Sequence, residues 1–267
     1  MSSRPFARRG VLQMLAILAL ACLPAPSAHA EDREIAKRRA AERKTFTDAQ
    51  IFDGFFKTVF GAELGLAGRV DRARKYVVPV RIYIENRAKR DRSADVGKVI
   101  DDIRARVANL DIAIAERRDG ANYIVRLVRD RDLSKTVREL YGKKGREIVR
   151  SLEPQCLSGL RKDESYRIER SDVILVADAG DFIFYDCAYE ELLQALGPIR
   201  DDPTVPWTMF NDDVQMGFFD VYDQYILNIL YHPRILPGMT AAEARAVLPQ
   251  VMPDVRAWVA SKNGLKQ

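Results

Sequence analysis

The sequence predicts a single α+β domain in which helices pack on a mixed sheet, set behind an N-terminal leader. Three observations lead there. From Phe46 onward, runs of helical periodicity alternate with short β-branched runs. No Pro/Ser-rich linker and no internal repeat divides residues 46–267. The 267 residues are 47% apolar and 30% charged, proportions that exclude disorder, collagen and a multi-span membrane protein.

Residues 1–30 read as a signal peptide. Arg4, Arg8 and Arg9 supply the positive start, Val11–Leu23 the apolar run, and Ala28 and Ala30 the small residues a signal peptidase reads. Cleavage after Ala30 is expected. The run of about 13 residues falls short of the roughly 20 that span a bilayer, so the mature chain is expected to carry no transmembrane segment. An uncleaved anchor is the alternative. Arg8-Arg9 resembles a twin-arginine signal and leaves that route and the general one both open. Ala19-Leu20-Ala21-Cys22 is a poor lipoprotein box, and lipidation at Cys22 is a minor alternative. The expected address is the periplasm or the exterior.

Residues 31–45 form a charged lead-in, either a solvated helix or a flexible segment. Thr47-Asp48-Ala49-Gln50 is a capping box, and Ile51, Phe52, Phe55, Phe56, Val59 and Phe60 follow at helical spacing until Gly61, Gly65 and Gly68. Tyr76–Glu85 reads as a strand that Pro79 confines to an edge or a bulge. Ser93–Leu110 is an amphipathic helix. Asp111–Glu116 and Asn122–Arg129 are strands joined through Arg118-Asp119-Gly120. Leu133–Leu152 is helical but broken at Gly142 and Gly145. Ser165–Ala177 is a strand, Asp178–Asp181 a turn, and Phe182–Leu196 a helix stopped by Gly197-Pro198.

The formal charge is +5, from 43 basic and 38 acidic residues. Losing the three leader arginines leaves 40 against 38, or +2, which weakens the case for nucleic-acid binding. The charge is unevenly placed. Residues 69–150 hold 23 Lys/Arg and 13 Asp/Glu, whereas residues 177–254 hold 3 Arg and 13 Asp/Glu. Attraction between the halves inside one fold is the favoured reading. The alternative is a basic face for peripheral contact with an anionic envelope surface.

The mature chain keeps two cysteines, Cys156 and Cys187. In an oxidising compartment such a pair bridges, tying the segment before a strand to the helix that carries Glu190. A reactive thiol pair is the rival, without a CxxC spacing to support it. The chain has two histidines, His29 in the leader and His232, so a three-histidine zinc site within one chain is excluded. His232 at a helix C-terminus suits terminal carbonyls better than catalysis. No GxSxG, P-loop or GxGxxG occurs.

Glu190-Glu191-Leu192-Leu193-Gln194-Ala195-Leu196-Gly197 carries the functional reading. It resembles the helix of metzincin zinc proteases, HExxHxxGxxH, in which histidines one turn apart bind zinc and the glutamate between them is the general base. The resemblance puts Glu191 at the general-base position and Gly197 at the turn. Glu190, Gln194 and Arg200 then stand at the three metal positions. Pro206–Phe210 is similar to the methionine turn, with Met209 at its centre, and Asp223–Tyr231 to a matrixin helix. An ordinary amphipathic helix followed by a loop is the plain alternative.

At a finer level the chain resembles a bacterial family of exported proteins, domain of unknown function 2927. The carriers are FTDAQIFDGFFKTVFGAELG, the Cys156/Cys187 pair, the EELLQALG helix, Phe210-Asn211-Asp212-Asp213 and LYHPRILPGM at residues 230–239. The resemblance implies a metzincin-like mixed sheet with a degenerate zinc motif, and no established substrate. No cofactor and no bound metal are expected, because Gln194 is a weak ligand and Arg200 a cation. A hard ion could still draw on Glu190, Glu191, Asp201, Asp202, Asn211, Asp212 or Asp213.

The function expected is a non-catalytic binding or structural protein of the periplasm or cell envelope that recognises a protein or peptide in the former substrate cleft, without nucleic acid. A hydrolase with an unconventional carboxylate or metal site is the alternative. Neighbouring Glu190 and Glu191 point about 100° apart on a helix, which aims them poorly at one bond.

Overall fold

The computed structural model describes residues 32–60, 71–152 and 155–266. The expected leader, Cys22 and the glycines 61, 65 and 68 lie outside them. Asp32 onward belongs to one compact unit. In chain order its elements are α1 (Arg33–Ala41), α2 (Asp48–Val59), β1 (Val80–Asn86), α3 (Ser93–Arg106), β2 (Ile112–Ile114), β3 (Tyr123–Val128), α4 (Asp130–Tyr141), α5 (Lys143–Leu152), β4 (Cys156–Lys162), β5 (Ile168–Val176), α6 (Asp181–Gln194), α7 (Val221–Tyr231) and α8 (Ala241–Asn263).

The sheet is mixed, with order β2-β1-β3-β5-β4. β1 pairs in parallel with β2 and β3, and β3 with β5, while the edge strand β4 runs antiparallel to β5. The central strand β3 is buried along its whole length, as expected of a strand covered on both faces. Tyr76–Pro79 stay outside the ladder and β1 begins at Val80, so Pro79 interrupts no pairing.

The two faces carry separate cores. α3, α6 and α7 share the large cluster with Tyr123, Val125, Val173 and Leu175. α4 and α5 cover the other face through Leu133, Val137 and Ile148 on Val128, Ile174 and Val176. That face also carries a charge ladder. Buried Arg126 donates to Asp172 Oδ1 at 2.8 Å and lies 3.4 Å from Glu85 Oε2. Burial works against the Asp172 carboxylate, but hydrogen bonds from Arg170 and Arg126 outweigh it and hold the carboxyl below its usual range.

The predicted capping box is present, with Thr47 and Gln50 bonded reciprocally. The long helix breaks where Gly142 ends α4. α1 buries only Ile35. It is nonetheless held to the body by arginines stacked on aromatic rings, Arg38 on Phe182 at 4.7 Å and Arg39 on Phe218 at 4.2 Å. β4 and α8 are elements the sequence reading did not find. α8 continues through Pro249 and Pro253. No described helix is long and apolar enough to cross a membrane.

Candidate functional site

α6 follows the last parallel strand and is pinned at several points. Near its N-terminus, Arg90 and Arg92 both reach Asp181. In its middle, Cys187 is bridged to Cys156 of β4, with the Cα atoms 5.9 Å apart. At its C-terminal end, Tyr123 Oη donates to Leu192 O at 2.9 Å and Ser171 Oγ to Ala195 O at 2.7 Å. Tyr231 Oη donates to Leu196 O at 2.8 Å. The chain then turns at Gly197 with φ 142°, where a Cβ would stand 2.4 Å from Arg74 O, so only glycine fits.

Between α6, the start of β4 and the 201–215 loop lies a cavity of about 290 Å³. Its acidic lining is Asp186, Glu190, Glu191, Asp201 and Asp212. Carboxylate oxygens of Glu190, Asp201 and Asp212 all lie within 4.8 Å of one another. Gln194 organises the wall. Its Oε1 accepts from Ser158 Oγ of β4 at 3.3 Å and its Nε2 donates to Asp201 Oδ1, which fixes that carboxylate beside Glu190. Asp186 Oδ1 accepts from the backbone N–H groups of Met216 and Gly217 at 2.7 and 3.1 Å and so anchors the far end of the loop.

Electrostatics follow from the crowding. Burial, then Glu191, Asp201, Asp186 and Asp212 in turn, push the Glu190 carboxyl well above its usual range. Burial also raises Asp186, against its two backbone hydrogen bonds. Such a wall favours protons, a hard oxygen-seeking cation, or an ammonium or guanidinium group. Glu190, Asp201 and Asp212 are the residues that could hold a cation.

Glu190, Glu191, Gln194 and both cysteines line the cavity. Arg200 and Met209 are not among the lining residues. The chain leaves Pro198 on a path that places Arg200 N on Thr58 O at 3.2 Å. The Arg200 guanidinium lies 3.4 Å from Asp202, and Asp201 is the residue that reaches the cavity. Met209 is buried, its N–H donating to Asp223 Oδ2 at 2.7 Å. Asp202 and Asn211 brace the loop, through Thr204 N on Asp202 Oδ1 and Asn211 Nδ2 on Val205 O. His232 sits elsewhere, with Nε2 3.3 Å from Asp254. Asp186 escaped the sequence reading, although Asp186, Glu190 and Gln194 form an i, i+4, i+8 polar stripe that marks one face of a helix.

The zinc implied by the metzincin resemblance does not fit this donor set. One carboxylate, Glu190, and one amide, Gln194, stand where imidazoles belong, and the third position, Arg200, is a cation turned to Asp202.

No curated protein and no solved structure matches the chain. A family model described as Protein of unknown function (DUF2927) matches residues 48–250. That span runs from the start of α2 into the first half of α8 and takes in the whole carboxylate cavity: the chain belongs to the DUF2927 family.

Proposed function

We propose that the protein is an exported, non-catalytic binding domain of the periplasm or cell envelope, built on a degenerate zinc-protease-like scaffold, whose carboxylate cavity takes a positively charged group of a protein or peptide partner. The observation that carries this reading is the convergence of Glu190, Asp201 and Asp212 in the wall of a 290 Å³ cavity. An acidic wall is complementary to a lysine or arginine side chain, repels an anionic one and offers a neutral one no charge pairing. The scaffold assignment draws support from a mixed sheet whose antiparallel edge strand borders the cavity and from the following helix carrying Glu191 into it. The non-catalytic reading rests on donor chemistry. Glu191 has no imidazole-held metal water to deprotonate, and bulk water is about nine pKa units less acidic than the best zinc-bound water.

Calorimetric titration with short lysine- or arginine-containing peptides and their acetyl-lysine or citrulline counterparts tests the proposal. The cationic peptides bind and the neutral ones do not, and Asp212→Asn lowers affinity about tenfold. Equal binding of both peptide sets, or an unchanged affinity in Asp212→Asn, overturns it. The hydrolase reading is favoured by the same three carboxylates, whose spacing suits a hard divalent ion. Peptide cleavage that depends on added calcium or magnesium and is lost in Glu191→Gln would replace the binding reading with that one.

A further inference from the structure

The helical hairpin on the opposite face of the sheet has its own electrostatic character. α4 presents Arg131, Lys135 and Arg138 at i, i+4 and i+7, a single exposed stripe on the side away from buried Leu133 and Val137. α5 presents Lys143, Arg146 and Arg150 at i, i+3 and i+7, with Lys144 beside them, all exposed. The helices meet closely at Gly145, where a Cβ would stand 2.6 Å from Val137 O and 2.9 Å from the Arg138 Cα, so the stripes are held side by side. Within the fold, Lys135 reaches Glu139 at 3.8 Å. Among the described residues, none of the other six cations has an acidic partner. The acidic half of the chain draws Arg90 and Arg92 to Asp181, and the hairpin's own four acids, Asp130, Asp132, Glu139 and Glu147, leave its seven cations in excess.

The two faces of the sheet differ in sign. α6 and its acidic cavity pack on the side of Val173 and Leu175, and the hairpin on the side of Ile174 and Val176. Since side chains alternate along a strand, these are opposite faces. A negatively charged plane therefore attracts the hairpin and repels the cavity, which sets both the affinity and the orientation. We propose that the α4–α5 hairpin docks the protein on an anionic phospholipid bilayer, cations down, with the cavity turned toward the aqueous side. The hairpin's apolar residues are already committed to the sheet, so the contact is electrostatic and peripheral, without insertion. A bilayer fits better than a small anion because the cations span both helices as a broad face and converge on no pocket.

The test is co-sedimentation of the protein, purified as its own cells process it, with vesicles of equal parts phosphatidylglycerol and phosphatidylcholine, against pure phosphatidylcholine. Binding is expected to the anionic vesicles alone and to be released by salt. Each neutralised cation is worth about fivefold in affinity, so Arg138→Gln/Lys144→Gln/Arg146→Gln loses well over tenfold. Lys143→Arg/Lys144→Arg retains binding, as does Arg234→Gln/Lys266→Gln, which removes exposed cations elsewhere. Should the triple variant fail to fold, Arg131→Gln/Arg150→Gln serves instead, with about a twenty-fivefold loss. Equal binding to neutral vesicles, salt-insensitive binding, or full affinity in the neutralised variants overturns the proposal. So does equally tight capture by duplex DNA, which would make the face a general polyanion surface.

Discussion

Opening the Cys156–Cys187 bridge gives the most quantitative test of how the cavity is held. The cysteines are 31 residues apart in sequence. The loop-entropy relation gives about 3–4 kcal/mol at 25 °C for a loop of that size. For a domain of this length each kcal/mol moves the midpoint by about 2–4 °C, so reduction, or the Cys156→Ser/Cys187→Ser pair, lowers the melting temperature by about 7–15 °C. The bridge fastens the edge strand β4, which has one sheet neighbour, to the helix carrying Glu190. Cavity function therefore falls with stability. Differential scanning calorimetry with and without reductant, alongside thiol titration of the denatured protein, makes the measurement. Reductant is without effect on the double variant. A wild-type shift below about 2 °C, or two free thiols without reductant, would mean that the bridge does not hold the cavity.

Three other outcomes follow from the buried charges and the turn. Glu190→Gln stabilises the protein by about 1 kcal/mol at pH 8 and by less at pH 5, because the raised carboxyl of Glu190 contributes stability that is lost as pH rises; urea titrations at both pH values read this. The Asp220 and Asp223 carboxyls at the start of α7 are fully buried. Burial pushes both up, Asp223 to about 6, and Asp223 raises Asp220 further. The folded state thus keeps protons that the unfolded chain has released, and stability falls as pH climbs from about 4 through about 6; Asp220→Asn flattens that slope, as melts across the range will show. Acids held low, such as Asp172 and Asp95, act below this window. Gly197→Ala costs about 3 kcal/mol or more, since both the positive φ and the Arg74 carbonyl oppose a Cβ; chemical denaturation measures it.

Local signals were legible in the sequence where one interaction decides the structure. Thr47 and Gln50 form the capping box that their spacing encodes, and Gly142 breaks the long helix into a hairpin because the chain there adopts φ 58°. β4 was not legible. Cys156–Lys162 holds Ser158, Gly159 and Lys162 and no β-branched aliphatic, and it becomes a strand through pairing with β5 and the bridge to α6. α8 was hidden by Pro249 and Pro253, which argue locally against a helix that begins at the Thr240–Glu243 capping box. In the site, Glu190, Glu191 and Gln194 line one cavity, because spacing on a helix fixes direction. Beyond Gly197 no periodicity governs the path. There the bond from Arg200 N to Thr58 O sends Arg200 to Asp202 and brings Asp201 inward. Asp212 joins from a loop whose approach no local pattern encodes.

Glu190, Asp201 and Asp212 lie close enough to act as one electrostatic unit. Carbon-13 NMR titration of the Glu190 side-chain carboxyl measures that coupling. The expected midpoint lies well above the ordinary glutamate range and drops in Asp201→Asn and again in Asp212→Asn, as each neighbouring charge is removed. A midpoint in the ordinary range, indifferent to both substitutions, would show three independent carboxylates.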